Sequence, residues 1–359
     1  MREIGSEFWL EREPETISTK RDGCYVLSGR TAIDLIVQDI SKARPVRKVY
    51  MPAWCCDSMI APFVSRGMEI ELYDGFKIQD SRSKSPETWN LKPETTDSCE
   101  SILYVTNYFG YENTIDIEIV KRFKEKGVVI LYDRTHSFLK VNDPYLELAD
   151  YIFASIRKWM GMIGGAVVEG GKDVALKPCP YLEPKEMAMR MKQAYMAGDD
   201  SVDKQIFLKL YGEFGHHLAE DYQNYEMDDL SYALYKTEDF TAVRRKRREN
   251  AKFLHEHLKG VRFLGELTDN AVPLFVPIFF DSSEQRNAVR NKLIEAKIYC
   301  PIHWPKPAQI PSNFAVNKIY DTELSLICDQ RYTTEDMARM VDVINEMDIN
   351  GQLMAITLK

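Results

Sequence analysis

The sequence predicts an α/β protein: a mostly parallel sheet covered by helices, followed by a smaller C-terminal α+β domain. Three observations carry that prediction. Between residues 24 and 154, short apolar runs alternate with helical patterns, and strands that are apolar throughout belong in a parallel sheet buried on both faces. From about residue 236 the pattern changes to strand-like runs at 273–279 and 298–300, set among helices. The length, 359 residues, accommodates two domains. The expected division is an arm over 1–20, a large domain over 21–235 with a trailing helical segment, and a small domain over 236–359.

Taken in order, the arm carries Phe8 and Trp9, two aromatic side chains that need a surface to pack on. A strand at 24–27 leads into Ser28-Gly29-Arg30-Thr31-Ala32, and apolar residues at 33, 36, 37 and 40 mark a helix. Small residues ahead of a helix expose backbone N–H groups at its positive end, an anion site most often used for phosphate. Ser28 serves equally well as a plain N-cap. Val49 and Tyr50 lead to Pro-Ala-Trp-Cys-Cys-Asp at 52–57, a helix to about residue 66, and a strand at 68–73. The polar stretch 78–100, which contains Trp89, reads as an exposed excursion. Strands at 101–106, 128–132 and 151–154, with a helix at 116–126, complete the alternation. Ligands of such sheets collect beyond the carboxyl ends of the strands, so the loops after Leu27, Tyr50, Thr106, Tyr132 and Ala154 are the ones to inspect.

Residues 180–235 are helical and polar, with Met187, Met189 and Met191. The helix opening at Phe240 carries Arg-Arg-Lys-Arg-Arg at 244–248, which in an acidic chain reads as a solvated face. Helices at 284–296 and 334–347 follow, the latter with Thr333 and Asp336 in capping-box register.

Bulk properties exclude several function classes. Hydrophobic residues make up 45% and charged residues 28%, as in soluble globular proteins. A net charge of −8 gives no reason to expect nucleic acid or an anionic membrane as partner. The longest apolar stretch, 272–280, is interrupted by prolines and too short to span a bilayer. The N-terminus has acids where a signal peptide needs an apolar core. The 7 cysteines lack metal-ligand spacing, and the pattern reads as reduced thiols in a cytoplasmic protein without a metal site.

The chemistry concentrates at two strand ends. Lys158 lies on a short turn between apolar runs, three residues after Ser155 and ahead of Gly164 and Gly165. Burial there lowers an amine's pKa, and a neutral amine forms a Schiff base with an aldehyde; the plain alternative is a surface lysine in a strand connection. Asp133 directly follows the strand at 128–132. Its carboxylate would keep a heteroaromatic nitrogen protonated, or would simply cap a helix. His136, one turn further on, is a candidate for a ring oxygen or a packing histidine.

In their order, Leu-Ser-Gly-Arg-Thr-Ala-Ile, Met-Pro-Ala-Trp-Cys-Cys-Asp, Val-Thr-Asn-Tyr-Phe-Gly-Tyr, Tyr-Asp-Arg-Thr-His-Ser-Phe and Ser-Ile-Arg-Lys-Trp give the chain a resemblance to the fold-type-I pyridoxal 5'-phosphate (PLP) enzymes. Within these it resembles the DegT/DnrJ/EryC1/StrS sugar aminotransferases, over about residues 5–346. The resemblance implies a PLP-dependent transferase fold with a seven-stranded, mostly parallel sheet. It also implies transfer of an amino group from glutamate or glutamine to a keto-sugar, nucleotide-linked in that family, by a homodimer with active sites at its interface; the alternatives are a PLP-dependent lyase or dehydratase of the same fold, or a non-catalytic regulatory protein that keeps it. It assigns Lys158 to the Schiff base and to proton transfer, Asp133 to the pyridine nitrogen and His136 to the phenolic oxygen. Gly29, Arg30 and Thr31, with Ser28 and Ser155, would hold the phosphate. The chain departs from the family in the spacing of Ser155 from Lys158, three residues rather than five. Cys56 occupies the usual position of the ring-stacking aromatic, with Trp54 as the other candidate. In the small domain, Arg331 in Cys-Asp-Gln-Arg-Tyr is a candidate carboxylate clamp or a structural ion pair. His303, with Trp304, is a candidate substrate-pocket wall or a packed turn.

Overall fold

The structure is a computed structural model and describes residues 2–17, 20–74, 91, 100–112, 115–170 and 174–347. The excursion expected over 78–100, with Trp89, lies outside the described residues except for Leu91 and Glu100. The elements are β1 (Ile4–Gly5), β2 (Cys24–Val26), α1 (Gly29–Ala43), β3 (Lys48–Pro52), α2 (Asp57–Val64), β4 (Glu69–Tyr73), β5 (Ser101–Thr106), α3 (Ile117–Glu125), β6 (Val129–Asp133), β7 (Tyr151–Ala154), β8 (Ala166–Glu169), α4 (Glu183–Met196), α5 (Lys204–Glu220), α6 (Asp229–Lys236), α7 (Phe240–His257), β9 (Arg262–Phe263), β10 (Val276–Phe279), α8 (Ser283–Glu295), β11 (Ile298–Tyr299), α9 (Asn317–Thr322), β12 (Glu323–Leu326) and α10 (Thr334–Asn345).

A seven-stranded sheet in the order β2-β8-β7-β6-β5-β3-β4 organises the first half of the chain. Strands β4, β3, β5, β6 and β7 run parallel; β8 is antiparallel to β7, and β2 to β8. The reversal at β8 follows from its connection. Between Ala154 and Ala166 the chain forms only a short helical turn at Ile156–Lys158 and no crossover helix, so the next strand returns antiparallel. β5 and β6 are buried along their whole length, as strands covered on both faces must be. The register sets Thr106 beside Asp133 and Asp133 beside Phe153, so three strands end at one level of the sheet.

The C-terminal half holds an antiparallel sheet, β12-β10-β9, whose apolar face packs with α7 and α10 around Ile278, Leu324, Leu326, Leu254 and Met340. The capping box expected at Thr333 and Asp336 closes the start of α10. The arm is pinned to this half: β1 pairs in parallel with β11, and the Tyr332 hydroxyl accepts from Gly5 N at 2.8 Å.

The basic run of α7 is not the solvated face that charge patterning predicts. Arg247 is 1% exposed, and its guanidinium donates to Gln330 Oε1 (2.9 Å), Leu274 O (2.9 Å) and Trp159 O (3.3 Å) while lying over the Trp159 ring. Arg244 donates to Leu139 O, and Arg248 to Thr268 O. Sequence patterning misses this because the partners of Arg244, Arg247 and Arg248 are mainly backbone carbonyls of packed loops elsewhere in the chain.

Candidate active site

Beyond the carboxyl ends of the sheet lies a cavity of about 270 Å³, lined among others by Ser28, Gly29, Arg30, Cys56, Asp133, His136, Ser155 and Lys158. They reach it from four strand ends: Ser28, Gly29 and Arg30 after β2, Cys56 after β3, Asp133 and His136 at the end of β6, and Ser155 and Lys158 after β7. Ser28 caps α1, accepting from Thr31 N at 3.1 Å, so the first turn of α1 points its N–H groups toward this space. Thr31 itself is fully buried, its hydroxyl 2.9 Å from Ser28 Oγ. A Cβ added at Gly29 would sit 3.3 Å from Ser155 Cβ, which shows how closely the helix start abuts the lysine turn.

Asp133 is buried and held on both oxygens: Tyr104 Oη donates to Oδ2 at 2.6 Å and Thr135 N to Oδ1 at 2.8 Å. Burial raises its pKa, against the two hydrogen bonds and the Lys158 charge. Lys158 is half-buried, with Nζ 3.4 Å from His136 Nε2. Burial depresses the lysine, with Cys56 and Asp133 opposing and Arg157 adding to the effect. His136 accepts at Nδ1 from Phe109 N (3.3 Å) and packs against the Phe109 and Trp304 rings. Burial first, then Lys158 and His303, push it well below the usual histidine range, so it is a neutral ring at physiological pH.

The same wall carries a residue not singled out from sequence. Arg157 lines the cavity, its charge bears on Arg30, Lys158, Lys185 and Glu7, and its Nε is buried without a partner. Arg30 likewise has a buried, unpartnered Nε, while its Nη1 donates to Leu218 O. Two such guanidinium groups beside a helix N-terminus make a strong anion site. The one sequence signal was adjacency: the shortened Ser155-to-Lys158 turn places Arg157 between them. Glu7, Lys185 and Tyr211 also line the cavity, from the arm, α4 and α5, with no local pattern to mark them.

A second cavity, of about 600 Å³, shares Glu7, Arg157, Lys158 and Trp304 with the first and extends between arm and C-terminal half past Phe275, Tyr299 and His303. Arg331 lies on its wall, but its guanidinium is already engaged: Nε and Nη2 grip Asp329 at 2.9 and 2.8 Å, and Nη1 and Nη2 hold the arm carbonyls of Glu7 and Ser6. The structural ion pair, and not the free clamp, is the arrangement seen.

Trp54 is also elsewhere than the ring-stacking role required. It is 1% exposed, stacked on Tyr108 with centroids 4.6 Å apart, donates Nε1–H to His303 O at 2.8 Å, and lines neither cavity. Its neighbour Cys56 does line the first cavity, its Sγ 3.0 Å from Ser58 Oγ. Trp304, supplied by the C-terminal half, lines the same cavity, as do Phe153, Tyr211 and Phe214.

No helix among the described residues is long and apolar enough to cross a membrane. No protein-family profile matches the sequence, and no curated protein does either. Solved structures do match. The sugar aminotransferase CalS13 from Micromonospora echinospora is 14% identical, over 90% of this chain and 86% of its own, with a TM-score of 0.58. DesI, solved in the presence of its TDP-sugar product, is 15% identical over 92% and 81%, with a TM-score of 0.60. DesV from S. venezuelae, in complex with a ketimine intermediate, is 16% identical over 90% and 84%, with a TM-score of 0.59. At such identities the likeness is one of architecture: the chain has the fold of the fold-type-I PLP-dependent transferases.

Proposed function

We propose that the protein is a PLP-dependent aminotransferase that moves an amino group from glutamate or glutamine to a keto-sugar, with a nucleotide-linked sugar as the acceptor. The observation that carries this reading is the convergence of Lys158, Asp133 and His136 on one cavity, next to the α1 N-terminus and two arginines with unpartnered Nε atoms. The residues fit the cofactor. The anion site formed by Gly29, Arg30, Ser155 and Arg157 suits its phosphate, Asp133 its ring nitrogen, His136 its phenolic oxygen and Lys158 its aldehyde. Once bound, PLP supplies an electron sink for the carbon that loses a proton.

The chain's own groups do the rest. Burial lowers the Lys158 pKa and so favours the neutral amine, whose Nζ would act as nucleophile and then carry a proton. His136, kept neutral, donates or accepts one hydrogen bond without adding a charge. Tyr104 and Thr135 orient the Asp133 carboxylate from behind. The second cavity, with its aromatic and cationic walls, gives the acceptor room next to Lys158. The likeness in fold to the sugar aminotransferase CalS13 and to DesI, solved in the presence of its TDP-sugar product, supports the choice of acceptor. The second partner is another copy of the chain, in the cytoplasm. Leu208, which lines the second cavity and is 37% exposed, and Ile206, 49% exposed, are large apolar side chains of α5 that such a contact would cover.

The test is a half-reaction screen. Purified protein with PLP should be yellow, and glutamate or glutamine should bleach it as the cofactor accepts the amino group. A colourless protein that ignores added PLP would sink the proposal. Arg157→Gln is expected to weaken PLP binding by ~10-fold or more, the effect of losing one charge-assisted hydrogen bond, as measured by cofactor titration. Unchanged affinity would remove Arg157 from the phosphate site.

A further inference from the structure

The wall of the second cavity is backed by a strand whose two faces differ sharply. In β12, Leu324 and Leu326 enter the C-terminal core, so the two-residue period turns Glu323 and Ser325 the other way, toward the 301–304 loop. Both are wholly buried. Ser325 Oγ donates to Glu323 Oε1 at 2.5 Å, and His303 N donates to Glu323 Oε2 at 2.6 Å. Ser325 Oγ also lies 2.8 Å from His303 Nδ1, and Ser325 N donates to Pro301 O, which ties the loop down. A carboxyl, a hydroxyl and an imidazole therefore stand in one hydrogen-bonded chain. At its far end, His303 Nε2 has no hydrogen-bond partner among the described residues, and His303 lines the cavity beside Lys158 and Trp304.

We propose that Glu323, Ser325 and His303 form a proton relay that opens into the cavity at His303 Nε2, where it takes the proton that the ammonium group of an amino donor must lose before it can act as a nucleophile. This assignment of the proton's source rests on the aminotransferase reading. The two resting forms differ by one proton. With Glu323 ionised, Ser325 donates to the carboxylate and accepts from His303 Nδ1–H, and the Nε2 lone pair faces the cavity. A proton arriving at Nε2 lets Nδ1–H pass to Ser325 Oγ as the Ser325 proton passes to Glu323 Oε1. The relay then ends with a neutral carboxylic acid, an intact hydroxyl and an Nε2–H imidazole. Return of the substrate proton runs the same steps backward. His303 is the group that meets the substrate; Ser325 and Glu323 act through it.

The surroundings favour this arrangement over a stored imidazolium. Burial, then the Lys158 charge, push His303 down to about 3. Burial pushes Glu323 up to about 8, against Ser325, the His303 N–H and Arg286. The groups facing the relay are Arg286 of α8, which donates to Glu323 O, Cys300 next to β11, Lys158 of the lysine turn, and His136 after β6, its ring edge-on to His303 at 6.4 Å.

The test uses the full-length protein with PLP, and the variants Glu323→Gln and Ser325→Ala. Both should slow the glutamate or glutamine half-reaction ~100-fold near neutral pH, the low end of general acid–base contributions. Both should also erase the wild-type inflection near pH 8 in its pH–rate profile, while PLP affinity stays unchanged. Unchanged rates, or slower rates with the wild-type pH profile kept, overturn the relay. A second measurement stands apart from turnover: imidazole ¹⁵N NMR of the protein. His303 should exchange a bare Nε2 for a protonated one as pH falls through about 8 in the wild type and keep one tautomer in Glu323→Gln. A single tautomer in the wild type overturns the relay. Bleaching by no amino acid overturns the aminotransferase reading instead, and leaves the NMR outcome to decide the relay. Stability follows the same linkage. A carboxyl raised from 4.5 to about 8 contributes stability that is complete below the unfolded value and lost as pH rises through about 8, so Glu323→Gln should gain on wild type above that pH.

Discussion

Lys158→Ala is expected to slow transamination by at least ~10³-fold, roughly 4 kcal/mol of barrier, because under the proposed function one substitution removes both the nucleophile and the proton carrier. The folded protein should survive. The side chain makes one long contact, 3.4 Å to His136, and its removal relieves a buried amine of its desolvation cost. PLP should still bind through the anion site, but borohydride should no longer attach it to the protein, a difference that mass spectrometry reads directly. A variant that still turns over at the wild-type rate, or still gains the cofactor's mass on reduction, would falsify the Schiff-base assignment.

The largest stability effect is expected at Asp329. Its carboxylate and the Arg331 guanidinium form a buried pair, 6% and 2% exposed, with the Arg331 cation sandwiched against Phe8 at 4.0 Å and Trp9 at 4.8 Å. Burial alone would raise the Asp329 pKa, but Arg331 prevails and holds it below the ordinary range. Asp329→Ala leaves the cation buried without its partner and should cost ~3–5 kcal/mol in urea unfolding. Adding Arg331→Met should recover much of the loss, since an apolar pair of similar volume avoids the desolvation of both charges. Because the folded carboxyl is depressed, its contribution is present above the unfolded pKa and lost as pH falls through the folded one, so acid should narrow the gap between wild type and Asp329→Ala. A cost under ~1 kcal/mol would mean that the arm is held by its aromatic packing alone.

The main sheet and its strand-end chemistry were legible because local signals carry them. Buried parallel strands read as apolar runs, Asp133 closes one of them, and Lys158 lies on the short turn after another. What remained illegible depends on partners far along the chain. Arg331 selects Asp329 nearby, but its fit against Phe8 and Trp9 requires the arm to fold back across more than 300 residues. Trp54 sits in the right segment for ring stacking, yet Tyr108 and the His303 carbonyl capture it in the core, while Trp304, which does line the cavity, comes from the other half. Lys185 has no periodicity to distinguish it from a surface lysine; its buried ammonium meets Glu7 of the arm at 3.1 Å and the Tyr211 ring of α5 at 4.3 Å, partners that only the fold brings together. Glu323 was equally hidden, since a carboxylate inside an apolar strand pattern gives no hint of the serine and histidine it will meet.

Arg247 gives the molecule a mechanical property. One guanidinium grips the carbonyl of Trp159, the residue after the lysine, together with Leu274 O and the Gln330 side chain of the C-terminal half, while Gln330 Nε2 donates to the same Trp159 carbonyl at 2.7 Å. The lysine turn is thus stitched to the lobe that supplies His303 and Trp304. The spacing between Lys158 and the wall formed by His303 and Trp304 is therefore set by hydrogen bonds that cross from one half of the molecule to the other.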